Sequence, residues 1–180
     1  MRRLTLALAG LCVCLCAGAI NSHAATRATS GQEAALTWLS GQIRGYEQAT
    51  WHWQRVMGIR TSRTTGQSVR QLGVPGAKAA LHRWRRLAAR ARRLAQHPPH
   101  YSDFMCIHRF EGSWTDSGSP YWGGLQMNLS FQATYGAWLY RTKGTADHWT
   151  PLEQIWVAEK ALKSRGFYPW PLTARDCGLI

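Results

Sequence analysis

Residues 106–131, CIHRFEGSWTDSGSPYWGGLQMNLSF, set one glutamate, Glu111, among aromatic rings, glycines and amides. A carboxylic acid can protonate a departing oxygen near neutral pH if an apolar site raises its pKa. Phe104, Phe110, Trp114, Tyr121 and Trp122 are near enough in sequence to build such a site. Sugar rings need flat apolar walls and fixed amide donors, which these aromatics, Gln126 and Asn128 could supply. Breaking a glycosidic bond is therefore chemistry that the set suits. Taken alone the ingredients are not specific, because a glutamate before a glycine is as readily a capping or solvated side chain.

Other chemistries fit less well. His108-x-x-Glu111 and His97-x-x-His100 have helix-like spacings, but neither is a zinc signature and two prolines break the second, so no metal and no cofactor is expected. Ser113, Ser117 and Ser119 lack the elbow motif of a serine nucleophile.

The elements that must position Glu111 come from periodicity. Leu36, Leu39, Ile43, Tyr46 and Thr50 recur at three and four, predicting a helix over about 32–57, weakened by Gly41 and Gly45. Residues 25–31 read as a flexible lead and 58–76 as a loop. A second helix over about 77–96 has Leu81, Trp84, Ala88, Ala91 and Ala95 in one stripe and six arginines elsewhere. His97-Pro98-Pro99-His100 ends it. Residues 25–100 are thus expected to form a basic, antiparallel helical hairpin.

Residues 101–180 are expected to form a separate, mainly helical domain. Ser102 would cap a helix carrying Phe104, Ile107 and Glu111 on one side, and Gly112 would end it. Residues 125–131 fit a strand or the start of a helix equally. Thr150-Pro151-Leu152-Glu153 reads as a capping box with proline at the first helical position, opening a helix that stops at Gly166.

Residues 1–24 carry two arginines, an apolar run and small residues at 22 and 24, the three parts of a secretory signal. An uncleaved anchor is the alternative, although the run is short for a bilayer. Removing Arg2 and Arg3 takes the formal charge from +13 to +11. A positive secreted protein points to anionic partners. The arginine-rich helix over 77–96 could hold acidic cell-wall polymers, nucleic acid or membrane, or be a solvated face. Wall polymers suit secretion best; nucleic acid is not expected. Of five cysteines only Cys106 and Cys177 lie beyond the signal, and in an oxidising compartment they are expected to pair.

The order of the fragments adds a resemblance. Glu111-Gly112 with Trp114, Tyr121-Trp122-Gly123-Gly124-Leu125-Gln126, Ser130-Phe131, Glu153-Gln154-Ile155, Val157-Ala158-Glu159-Lys160, Leu162, Gly166, Trp170-Pro171 and the final cysteine follow one another across about residues 104–178. In this order they resemble the transglycosylase-like, lysozyme-fold domain of the resuscitation-promoting factors of actinobacteria. More distantly, the glutamate and the Gly-Gly-Leu-Gln-Met run are similar to motifs of soluble lytic transglycosylases.

The resemblance implies a small lysozyme-like domain, mainly α with little sheet. It would cut the β-1,4 bond between N-acetylmuramic acid and N-acetylglucosamine in peptidoglycan, as a secreted, wall-associated monomer. Glu111 matches the catalytic acid, and Tyr121 and Gln126 match cleft-lining positions; Trp114, Trp122, Gly124 and Asn128 are the further candidates for binding glycan. The chain departs from the family in its cysteines, since Cys106 is five residues before Glu111 and Cys177 six after Pro171. The segment between Glu111 and Gly123 is also shorter.

Two carboxyl groups normally serve a glycoside hydrolase, and Asp116 is the acid close after Glu111. A lytic transglycosylase needs one, which makes Glu111 acid and then base. A wall-binding module without chemistry, or a basic membrane-active protein, is the alternative class.

Overall fold

A computed structural model describes residues 17–64 and 66–180, with side chains from Thr29 onward. The expected leader, residues 1–24, lies mostly outside the described residues. The described chain is mainly helical: α1 (Ala17–Val56), α2 (Val69–Ala95), α3 (Tyr101–Glu111), α4 (Leu129–Tyr135), α5 (Ala137–Lys143), a 3-10 turn at Ala146–His148, α6 (Pro151–Arg165) and α7 (Pro171–Asp176). Among the described residues the extended pairing is one isolated antiparallel bridge, Trp122 with Met127. None of these helices is long and apolar enough to cross a membrane.

The N-terminal pair differs from the antiparallel hairpin expected. Its contacts advance together along both helices. Arg70 pairs with Glu33, Ala77 packs with Leu36 and Leu39, Arg85 lies over Tyr46, and Trp84 meets Trp51 edge to face. The helices therefore run parallel. The connection is held against both helices: Ser62 accepts from Trp51 Nε1 at 2.7 Å and exchanges bonds with Gln54, and Arg63 O accepts from Arg83. Extended, residues 58–68 reach about 36 Å, which matches the roughly 35 Å of helix from Glu33 to Val56. A connection this long permits a parallel neighbour, whereas a short one dictates an antiparallel neighbour.

Two boundaries also move. Residues 25–31 continue α1 rather than forming a lead, since no proline interrupts them. The expected loop ends at Ser68, not residue 76, because Ser68 and Gln71 form a capping box that starts α2 at Val69. Gly73, at φ 62 and ψ 177, then kinks the helix before Pro75. The predicted apolar stripe of α2 does turn inward, with Trp84, Ala91 and Ala95 buried.

Both C-termini reach the second hydrophobic cluster. Val56 is part of that cluster, and Ala95 O accepts from Trp156 Nε1 at 2.8 Å. Helix α6 runs through its middle, and its buried positions Glu153, Gln154, Ile155, Val157, Ala158, Glu159 and Ala161 leave little of it facing water. It begins at the predicted Thr150 capping box and ends at Gly166. Around it pack Phe104 and Ile107 of α3, Phe131 of α4, Leu139 of α5, and Trp170 at the head of α7.

Two buried carboxylates fasten the layers. Glu159 accepts from the His100 backbone N–H at 2.6 Å and faces His100 Nδ1 at 3.0 Å. That grip starts α3 with His100 as its cap, so Ser102 is not the cap expected of it; its hydroxyl instead bonds Asp103. Glu153, 1% exposed, meets His52 of α1 at 3.0 Å, Lys143 of α5 at 2.7 Å and the Thr150 N–H at 2.7 Å.

Candidate active site

Helix α3 turns Phe104 and Ile107 fully into the core, which brings Glu111 in its last turn to the edge of the packed region, half-buried. Gly112 ends the helix at φ 149, a conformation that L side chains rarely adopt. A Cβ on Gly112 would lie 3.3 Å from Gln126 Nε2 and 3.4 Å from Asp116 Oδ2. The Gln126–Asp116 pair, bonded at 2.8 Å, thus sits against the backbone that directly follows Glu111.

The segment 122–127 is a tight reversal. Trp122 and Met127 exchange backbone bonds at 3.1 and 2.9 Å, and Gln126 N–H bonds Gly123 O at 3.0 Å with Gln126 itself at φ 47. Gly124 is the point of closest approach, since a Cβ there would stand 2.6 Å from His108 Nδ1 and 2.7 Å from the Trp114 ring. Those two rings stack with centroids 3.9 Å apart, and His108 Nδ1 lies 3.0 Å from Gly124 O. Gln154, buried on α6, holds the reversal from behind: its Oε1 accepts from Gly124 N–H, and its Nε2 donates to Trp114 O, Ala146 O and Trp149 O.

Thr173 of α7 closes the arrangement. Its hydroxyl donates to Glu111 Oε1 at 2.8 Å. At the C-terminal cap of the same helix, Cys177 is disulfide-bonded to Cys106 of α3, so the pair expected from the sequence joins the helix that bears Glu111 to the end of the helix that bears Thr173.

A groove of about 120 Å³ is lined by the polar residues Tyr121, Gln126, Asn128 and Arg165 together with apolar ones that include Leu125, Phe131 and Trp170. The structure therefore brings together three of the sequence candidates, Tyr121, Gln126 and Asn128. Glu111 is not in the lining. It is linked to lining residues indirectly, through Gly112 to Gln126 and through Thr173 to the turn that starts at Trp170. Trp114 and Gly124 pack behind the reversal with His108, and Trp122 packs against the core. Asn128 caps α4, its Oδ1 accepting from Phe131 N–H at 2.8 Å, which leaves its NH2 uncommitted to any described residue.

No family model and no solved structure matches the chain. It is similar to resuscitation-promoting factor Rpf1 of Corynebacterium glutamicum, with 38% identity over 69 residues. That stretch covers 38% of this chain and 35% of Rpf1, so the match spans about a third of its length.

Residues that received no site role from the sequence are Thr173, Arg165 and the buried amide Gln154, the last quoted only within the Glu153-Gln154-Ile155 fragment of the resemblance. Nothing in their local spacing marks them; each gains its place from the way α6 and α7 return to the α3 turn. Among the described residues no three His, Cys, Asp or Glu side chains come together as a metal-binding group. His108 faces Gly124 O and Trp114, and His100 faces Glu159.

Proposed function

We propose that this chain is a secreted enzyme that cuts the β-1,4 MurNAc–GlcNAc bond of peptidoglycan, through a small lysozyme-like domain over residues 101–180. The observation that carries the reading is the seat of Glu111. One carboxyl oxygen is held by Thr173, and the groove amide of Gln126 lies against the next residue, Gly112. The similarity to Rpf1 supports the same reading.

Glu111 acts twice. Oε2 takes no hydrogen bond from a described residue and carries the proton that passes to the glycosidic oxygen as the C1–O bond breaks. The resulting carboxylate then removes the proton of the muramyl 6-hydroxyl, and O6 attacks C1 to close a 1,6-anhydro ring. Asp116 is the alternative second carboxylate for hydrolysis. Its oxygens already accept from Gln126 Nε2 and from Gly118 N–H at 3.0 Å, an arrangement that favours a structural acceptor over a base. Tyr121, Gln126 and Asn128 hold sugar and amide groups in the groove; Trp114, Trp122 and Gly124 shape its support.

Purified sacculi test this directly. The native chain should release anhydro-muropeptides, and Glu111→Gln should bind the sacculi without releasing them. Reducing ends in place of anhydro sugars would reassign Asp116. Equal release by both forms would remove Glu111 from catalysis and leave a different lytic group or a binding module.

The outer face of α2 carries Arg85, Arg86, Arg90, Arg92 and Arg93, all exposed and none paired with a carboxylate among the described residues. No acidic residue lies between Glu47 and Asp103. This face is suited to holding the enzyme near anionic wall polymers. Retention on walls should fall steeply between low and moderate salt if it does.

A further inference from the structure

Arg165 is the one charged residue that lines the groove. It closes the last turn of α6, just before Gly166 reverses the chain at φ 56 and returns Pro169 and Trp170 to the same wall. No hydrogen bond or ion pair with a described residue engages its guanidinium.

The neighbouring groups are partly spent. Gln126 Nε2 is committed to Asp116 and Gly123 O, so the amide offers its oxygen; Asn128 Oδ1 is committed to Phe131 N–H, so that amide offers its NH2. One acceptor, one donor and the Tyr121 phenol suit neutral sugar and amide groups. A bare guanidinium in the same groove does not need them; its rigid fork of N–H donors matches a carboxylate. The described acids give it none, which leaves the guanidinium open to a carboxylate on the ligand.

We propose that Arg165 forms a carboxylate subsite, which deepens the reading above and rests on it for the choice of ligand. On a glycan strand carboxylates occur in two places: on the peptide stem, and on the lactyl ether of a muramyl residue stripped of its peptide. Arg165 holds one of these beside the sugar seated on Tyr121 and Gln126. It thereby selects muramyl residues by charge as well as by shape.

Binding, not cleavage, provides the test. Soluble disaccharide fragments are titrated calorimetrically into the Glu111→Gln protein, with and without a second change, Arg165→Gln. Three fragments are used: one with a free stem carboxylate, one with that carboxylate amidated and the stem otherwise uncharged, and one peptide-free with only the lactyl carboxylate. Arg165→Gln should weaken binding of at least one carboxylate-bearing fragment about tenfold, the scale of one charge-assisted bond at a partly open site. The amidated fragment should bind both proteins within twofold. Loss confined to the first fragment assigns the stem, and loss confined to the third assigns the lactyl group. Arg165→Lys should recover part of the affinity. Equal weakening for all three fragments, or no weakening for any, overturns the subsite. Failure of the enzyme reading would show separately, as unchanged sacculus cleavage by Glu111→Gln.

Discussion

Thr173 and Glu111, 62 residues apart in sequence, share a 2.8 Å hydrogen bond from hydroxyl to carboxyl oxygen. It engages one oxygen of Glu111; in the proposed mechanism the other carries the proton. A hydrogen bond to a neutral acceptor is worth roughly 1 kcal/mol and one to a charged acceptor roughly 1.5–3 kcal/mol, so in the proposed mechanism this bond strengthens as Glu111 gives up its proton. Thr173→Val should therefore lower kcat on sacculi by about three- to thirtyfold, with KM changed little, because Thr173 does not line the groove. Thr173→Ser keeps the donor and should restore most of the rate. Equal losses in the valine and serine variants would show that the methyl packing, not the hydroxyl, matters.

The same two helices are joined covalently at Cys106 and Cys177. A loop of 71 residues closed by a disulfide contributes about 4 kcal/mol by chain-entropy models. Reduction should lower the melting temperature by roughly 10 °C in a chain of this size. It should also reduce cleavage before the chain melts, since α7 then loses its staple to α3. Cys177→Ser should match the reduced protein and be insensitive to added thiol. Unchanged melting on complete reduction would mean that core packing alone holds α7.

Gly124 and Gly41 separate a required glycine from a tolerated one. A Cβ at Gly124 would overlap His108 and Trp114, both fixed by stacking, so Gly124→Ala should destabilise by about 1–3 kcal/mol and impair cleavage. At Gly41, within α1, a Cβ meets nothing within 4 Å. Gly41→Ala should raise stability by about 0.5–1 kcal/mol with activity unchanged. Paired chemical denaturation curves measure both.

Much of the helical register was legible because burial enforces it. The Leu36–Thr50 stripe, the Trp84–Ala95 stripe and the Thr150–Glu153 capping box repeat at helix spacing and need no tertiary knowledge. The direction of α2 was not legible in that way, since periodicity gives a face and not a heading. What decided it is the length of the 58–68 connection and the bonds of Ser62 to α1. Ser68 with Gln71 was a readable start signal, obscured by the glycines and proline that follow. At the site, Tyr121, Gln126 and Asn128 stand close in sequence and share the groove. Thr173 and Arg165 come from the far end of the chain, and only the packing of α6 and α7 on α3 delivers them.

Glu153 gives the fold a dependence on pH. Burial pushes its carboxyl up, but bonds from His52, Lys143 and the Thr150 N–H outweigh that and hold it down from 4.5 to about 2. A carboxyl lowered in the folded state stabilises fully above its unfolded pKa, and that contribution fades as pH falls from about 4.5 toward 2. A shift of this size corresponds to roughly 3 kcal/mol. Because the partners lie on α1 and α5, the lost stability is that of the seat of α1 on the C-terminal core. Glu153→Gln should cost about 3–5 kcal/mol at neutral pH, where it strands Lys143 and His52 beside an uncharged amide. Between pH 4.5 and 2 the variant should lose less further stability than the native chain. Urea midpoints at closely spaced pH values measure the difference, and parallel curves for the two proteins would show that other carboxyls carry the acid sensitivity.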